Sequence, residues 1–158
     1  MKMKEIVSEG AVIPQLQAGD RDAAITELVD ALVSSGAAPA SIRDELVQKV
    51  LERERRGSTG FGKGVAVPHV KFKGVGKMAA AIGLSQRGID FSSLDRQPVY
   101  SVVLLLSPED QPEEHLRAME VIFRNLSNDT FRRFLRQANS VEDVMQLLEE
   151  ADSRQLAG

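Results

Sequence analysis

The chain contains no cysteine, which excludes disulfides, thiolate catalysis and cysteine-ligated zinc or iron–sulfur centres. Histidine is almost as scarce, with His69 and His115 the only two. Long apolar runs are missing as well. The longest, Val102–Leu106, falls far short of the ~20 residues needed to span a bilayer. The amino end, MKMKEIVSEG, meets acidic residues before any apolar stretch that would serve as a secretion signal. Neither sign of charge dominates: 20 basic against 23 acidic residues leave a net charge of −3. No field of that size marks a nucleic-acid or anionic-membrane binder. Low-complexity tracts, internal repeats and linker-like stretches are not found. What is present is 158 residues at 42% hydrophobic content, enough for one packed domain over 1–158 without covalent staples. These exclusions point to a soluble, cytoplasmic chain.

Periodicity divides the chain into three parts. Ala11–Leu16 is a short apolar stretch interrupted by Pro14, which reads as an edge strand or a loop. Asp20 caps a helical pattern carried by Ile25, Leu28, Leu32 and Val33 and stopped before Gly36. A second helix follows Pro39, with Ile42, Leu46, Val50 and Leu51 on one side and the charged run Glu52–Arg56 at its end. In the middle third, Gly57–Gly64 is too glycine-dense for a regular element. Val65–Val67, Met78–Leu84 and Val99–Leu106 read as strands, the last being apolar and rich in β-branched residues. Helices then run from about Asp110 to Leu126, from about Asn128 to Gln137, and from a Ser140 cap through Val141, Val144, Leu147 and Leu148. Helices before and after a central group of strands predict an α/β sandwich around one main core.

The glycine-dense segment continues as far as Lys71 and reads GSTGFGKGVAVPHVK. It matches most of a P-loop, but position 64 is Gly where magnesium ligation requires Ser or Thr, and the loop follows a helix and precedes a strand. The dinucleotide fingerprint also fails, because Val65 stands where the third glycine belongs. The glycines alone could serve only tight turns. The end of the segment says more. Val67-Pro68-His69 sets a histidine just past a buried strand, where open α/β sheets present ligand sites, and the proline restricts the approach of the chain. Upstream, Ser58, Thr59, Gly60, Gly62 and Gly64 offer hydroxyls and unobstructed amides of the kind that suit a phosphoryl group.

His115 has a comparable position. It falls near the end of the first turn of the helix after Ser107-Pro108, in line with Met119, Ile122 and Leu126 on the inward stripe. The amino end of a helix favours an anion and disfavours a protonated ring. Taken singly, His115 also fits a core or capping histidine. With no third ligand at metal spacing and no nucleophile elbow, two histidines at strand ends suit a neutral imidazole acting as nucleophile toward phosphorus. Such a site needs cationic donors. Arg53, Arg55 and Arg56 lie just before the loop, where they could equally form a solvated helix end.

Glu54, Phe61-Gly62 and Val65-Ala66-Val67-Pro68-His69 together resemble the signature of the type 2 (fructose/mannitol) enzyme IIA domains of the bacterial phosphoenolpyruvate:sugar phosphotransferase system. The stretch from Arg53 to His69 is most similar to the free-standing nitrogen-regulatory branch. The likeness continues through Phe91, Leu94-Asp95-x-Gln97-Pro98-Val99 and Leu106-x-Pro108-x-Asp110-Gln111-x-x-x-His115-Leu116. The resemblance implies a mixed sheet flanked by helices on both faces, with His69 as the phosphoryl acceptor on Nε2. His115 would assist the phosphoryl group and Arg53 would neutralise its charge. It also implies a phosphocarrier protein (HPr or its paralogue) as donor and a IIB domain or a regulatory protein as recipient, with no cofactor, no nucleic acid and no membrane insertion. A homodimer is compatible with it. The likeness to the nitrogen-regulatory branch tips the expected function toward a phosphoryl carrier used as a regulatory signal. A subunit of fructose or mannitol uptake, or an anion-binding module that transfers nothing, are the alternatives. Val70 departs from the small residue usual after the histidine, and it bears on which partner can approach.

Overall fold

The computed structural model describes residues 1–157. In chain order its elements are α1 (Met3–Ile6), β1 (Val7–Ile13), α2 (Arg21–Ser34), a 3-10 turn (Ala40–Ile42), α3 (Arg43–Arg56), β2 (Gly60–Gly62), β3 (Val65–Ala66), β4 (His69–Phe72), β5 (Ala79–Ile89), β6 (Val99–Pro108), α4 (Pro112–Leu126), α5 (Asp129–Gln137) and α6 (Val141–Ala157). The helix starts follow the capping logic of the sequence. Asp20, Asn128 and Ser140 each accept an amide of the first turn with a side-chain oxygen, at 2.8, 2.9 and 3.0 Å.

The strands make a six-stranded mixed sheet in the order β1-β5-β6-β3-β2, with β4 also on β6. β6 is the hub: it pairs antiparallel with β5 and parallel with β3 and then β4. The pleat sends its residues alternately to opposite faces. Val103 and Leu105 pack with α1, α4, α5 and α6, while Val102, Leu104 and Leu106 pack with α2 and α3. The sheet thus lies between two apolar cores rather than beside the one main core that the pattern suggests. Leu104, Leu105 and Leu106 are fully buried, each contributing about 1.5–3 kcal/mol of transfer free energy.

Other differences from the sequence reading have local causes. Of Ala11–Leu16, only Ala11–Ile13 is strand, the end of an edge strand that begins at Val7 and pairs only with β5, and the chain leaves the strand at Pro14. The glycine segment, expected to be irregular, holds β2, antiparallel to β3. Lys63 and Gly64 make the reversal between them with φ of 61° and 78°, the two-residue hairpin geometry that favours glycine. Strand β4 is too short to show a period, and its ladder comes from β6, some 36 positions away (His69↔Leu105). At the far side, the buried carboxylate of Asp152 in α6 accepts the Met3 and Lys4 amides at 2.7 and 3.1 Å, clasping α1 to the last helix.

Candidate functional site

Pro68 separates β3 from β4 along the same side of β6, and Leu105 donates its amide to the Pro68 carbonyl at 2.9 Å. His69 therefore opens β4 opposite Leu105, and Lys71 stands opposite Ser107. These alternate residues face α4, whose first turn carries His115. The two imidazole centroids are 5.5 Å apart with a 44° tilt between the rings. The fold brings the chain's only histidines into one cavity of about 350 Å³. Its other lining residues are Lys49, Glu52, Arg53 and Arg56 from α3, with Val70 and Lys71 from β4.

Hydrogen bonds orient both rings. His69 Nδ1 lies 2.8 Å from the Val67 carbonyl. A carbonyl only accepts, so Nδ1 carries the hydrogen and the Nε2 lone pair is left free. Burial, joined by the charge of Arg53, lowers the His69 pKa below the ordinary imidazole value, although the bond to Val67 opposes this. His115 Nδ1 meets the hydroxyl of Ser107 at 2.7 Å. Burial first, then the neighbouring His69 and Lys71, bring the His115 pKa down to about 4. At neutral pH both rings are uncharged.

A line of hydrogen bonds leads from α3 to the His69 ring. Buried Glu54 accepts the Thr59 amide and hydroxyl, each at 2.7 Å. The Thr59 carbonyl accepts the Val67 amide at 3.2 Å, and the Val67 carbonyl accepts His69 Nδ1–H. Glu54 thereby fixes the loop that fixes the histidine.

Arg53 lines the cavity as expected and donates Nη1 to the Gly57 carbonyl at 3.0 Å, which holds its guanidinium at the end of α3. Arg56 lines it too, whereas Arg55 turns toward Asp22, 3.7 Å away. None of Ser58, Thr59, Gly60, Gly62 and Gly64 lines the histidine cavity. The amides of Thr59, Gly60 and Lys63 are already bonded to Glu54, Ser58 and Asp95. The Ser58 hydroxyl itself donates to the Phe91 carbonyl at 2.5 Å. The loop positions the histidine, and the donors facing the cavity are side chains.

Lys49, Lys71 and Ser107 were not singled out from sequence, yet signals for the first two exist. Lys49 precedes Arg53 by one helical turn, and Lys71 follows His69 by one strand period. A larger concavity, about 730 Å³, lies among Lys63, Tyr100, Arg132, Arg133 and Arg136 and contains neither histidine. The candidate site rests on the paired neutral imidazoles and not on size.

Residues 5–151 match the family described as phosphoenolpyruvate-dependent sugar phosphotransferase system, EIIA 2. The chain belongs to that family. This IIA protein is 32% identical over 150 residues to the nitrogen regulatory protein of Bradyrhizobium diazoefficiens, covering 94% of this chain and 95% of that one. It is 33% identical over 130 residues to the fructose-specific EIIA component of Haloferax volcanii, covering 82% and 83%. The fructose-specific EIIABC component of Bacillus subtilis matches 96% of this chain at 29% identity, but the chain spans only 24% of that longer protein. Among solved structures, the nitrogen regulatory protein IIA-Ntr of Neisseria meningitidis superposes with a TM-score of 0.83 at 26% identity over 91% of this chain and 97% of that one. Enzyme IIA-mannitol of Escherichia coli, solved in complex with phosphorylated enzyme IIB-mannitol, shares the fold with a TM-score of 0.75 at 22% identity, over 89% and 95%. The mixed α/β architecture is thus that of type 2 IIA proteins.

Proposed function

We propose that this IIA protein carries a phosphoryl group on His69 Nε2, taken from a phosphohistidine of HPr or a paralogous carrier. It passes the group to a IIB domain or holds it as a nitrogen-regulatory signal. The observation that carries the reading is the His69 Nδ1–H bond to the Val67 carbonyl at the mouth of a basic cavity. That bond leaves Nε2 as the only available lone pair of the ring. In the transfer, the Nε2 lone pair bonds to phosphorus while the donor's N–P bond breaks and its electron pair returns to the donor ring. No proton has to move. The Nδ1–H of His69 stays on the Val67 carbonyl, which stabilises the positive charge the ring acquires. Arg53, with Lys49, Arg56 and Lys71, meets the phosphoryl oxygens, and His115 supplies a further donor. Val70, partly packed against the α2–α3 core and partly lining the cavity, narrows the approach of a partner. No described helix is long and apolar enough to cross a membrane; a cytoplasmic location belongs to the same proposal.

Incubation with phosphoenolpyruvate, enzyme I and HPr or its paralogue tests the reading. Acid-labile, base-stable phosphate should appear on His69 and vanish in His69→Ala, while labelling of that variant would remove His69 from the role. No labelling of the wild type would leave an anion-binding module. The 33% identity to a fructose-specific EIIA component favours a second reading, a subunit of sugar uptake. Onward transfer to a sugar-specific IIB domain would support it, and stable retention of the phosphoryl group would support regulation.

A further inference from the structure

Ser107 is fully buried at the end of β6, and its hydroxyl touches a single polar partner among the described residues, Nδ1 of His115 at 2.7 Å. Two hydrogen-bond directions are conceivable. If His115 Nδ1–H donated to the hydroxyl, the serine O–H would be sealed in the fold without an acceptor. If the serine donates, its only donor is satisfied and Nδ1 needs no proton. The second arrangement pairs every group, and it has a consequence on the other side of the ring. With Nδ1 accepting, the proton of the neutral imidazole sits on Nε2, the nitrogen left without a partner among the described residues beside the cavity shared with His69.

We propose that Ser107 is a positioning residue that holds His115 in the Nε2–H form, so that His115 meets the phosphoryl group on His69 as a hydrogen-bond donor and not as a repelling lone pair. The two histidines are therefore set as opposite tautomers by their Nδ1 partners. A carbonyl that only accepts makes His69 a nucleophile at Nε2, and a hydroxyl that donates makes His115 a donor at Nε2. The chemistry requires this asymmetry, because two rings with identical protonation would both attack the phosphoryl group or both donate to it. The inference rests on the proposed phosphoryl-carrier reading for its function, but the tautomer itself does not depend on any phosphoryl donor.

Long-range 1H–15N correlation spectra of the 15N-labelled full chain at about pH 7.5 read the tautomers directly. The expected wild-type pattern is Nε2–H for His115 and Nδ1–H for His69. In Ser107→Ala the His115 pattern should shift toward Nδ1–H while that of His69 stays unchanged, and Ser107→Thr, which keeps the hydroxyl, should restore it. Phosphoryl uptake by Ser107→Ala should slow about tenfold, the rate equivalent of one transition-state hydrogen bond. The Thr variant should return to within about twofold of wild type. An Nδ1–H pattern for His115 in the wild type, an unchanged pattern in Ser107→Ala, or an unchanged rate despite a shifted pattern each overturns the proposal. Absent phosphorylation of the wild type with the expected tautomers would strike the carrier reading and leave the tautomer assignment standing.

Discussion

In the proposed function, each histidine owes its role to what occupies its Nδ1. Both are also buried enough to resist protonation, and this sets a pH signature. The free imidazole value is 6.5, that of His69 lies below it, and that of His115 is about 4. The unfolded chain takes up protons near 6.5 that the folded chain refuses. The stability tied to the two rings is accordingly complete above about 6.5 and is lost as the pH falls toward 4. NMR titration of the two rings should give midpoints below 6.5 for His69 and about 4 for His115. A midpoint at or above the free value for either ring would contradict the burial described here. His115→Ala should still accept a phosphoryl group on His69 but transfer it about tenfold more slowly, for want of one donor. Wild-type transfer rates in that variant would reduce His115 to a packing residue.

Helix α3, the glycine hairpin β2–β3 and strand β4 act as one device. Glu54 is the pin, because its carboxylate joins the helix to Thr59 and, through Val67, to His69. Glu54→Ala strips two buried donors of their acceptor and should destabilise the fold by about 2–3 kcal/mol in urea unfolding, with His69 losing its fixed tautomer. Glu54→Gln keeps an acceptor for the Thr59 amide and should recover most of the loss. A cost under about 0.5 kcal/mol for the alanine variant would show that the pin bears no strain. Much of this device was readable in the sequence. The Val-Pro-His step, the capped helices and the β6 run are local patterns, so their periods survive inspection. The destination of the loop amides was not readable. Glycine-rich backbone looks open to an anion until Glu54, Ser58 and Asp95 are seen to occupy it, and those partners are set by tertiary folding. Ser107 was hidden for the same reason, since only the α4–β6 packing brings it against His115.

Across the whole molecule, α3 and the amino end of α4 converge on the two histidines at the β4 edge. At the opposite limit of the chain, Asp152 clasps α1. Asp152→Ala should cost about 2 kcal/mol, the worth of bonds to a charged acceptor, and hydrogen exchange at Met3 and Lys4 should quicken. Unchanged protection of those amides would mean that the first helix is held by Met3 and Ile6 packing alone. The cavity itself draws its positive charge from Lys49, Arg53, Arg56 and Lys71, while the loop amides of Thr59, Gly60 and Lys63 are bonded within the fold. A rigid amide cradle would grip its anion as a nucleotide-binding loop does. Under the proposed carrier function, long cationic side chains can gather a phosphoryl group and then let it go, which is the property a courier needs more than tight custody.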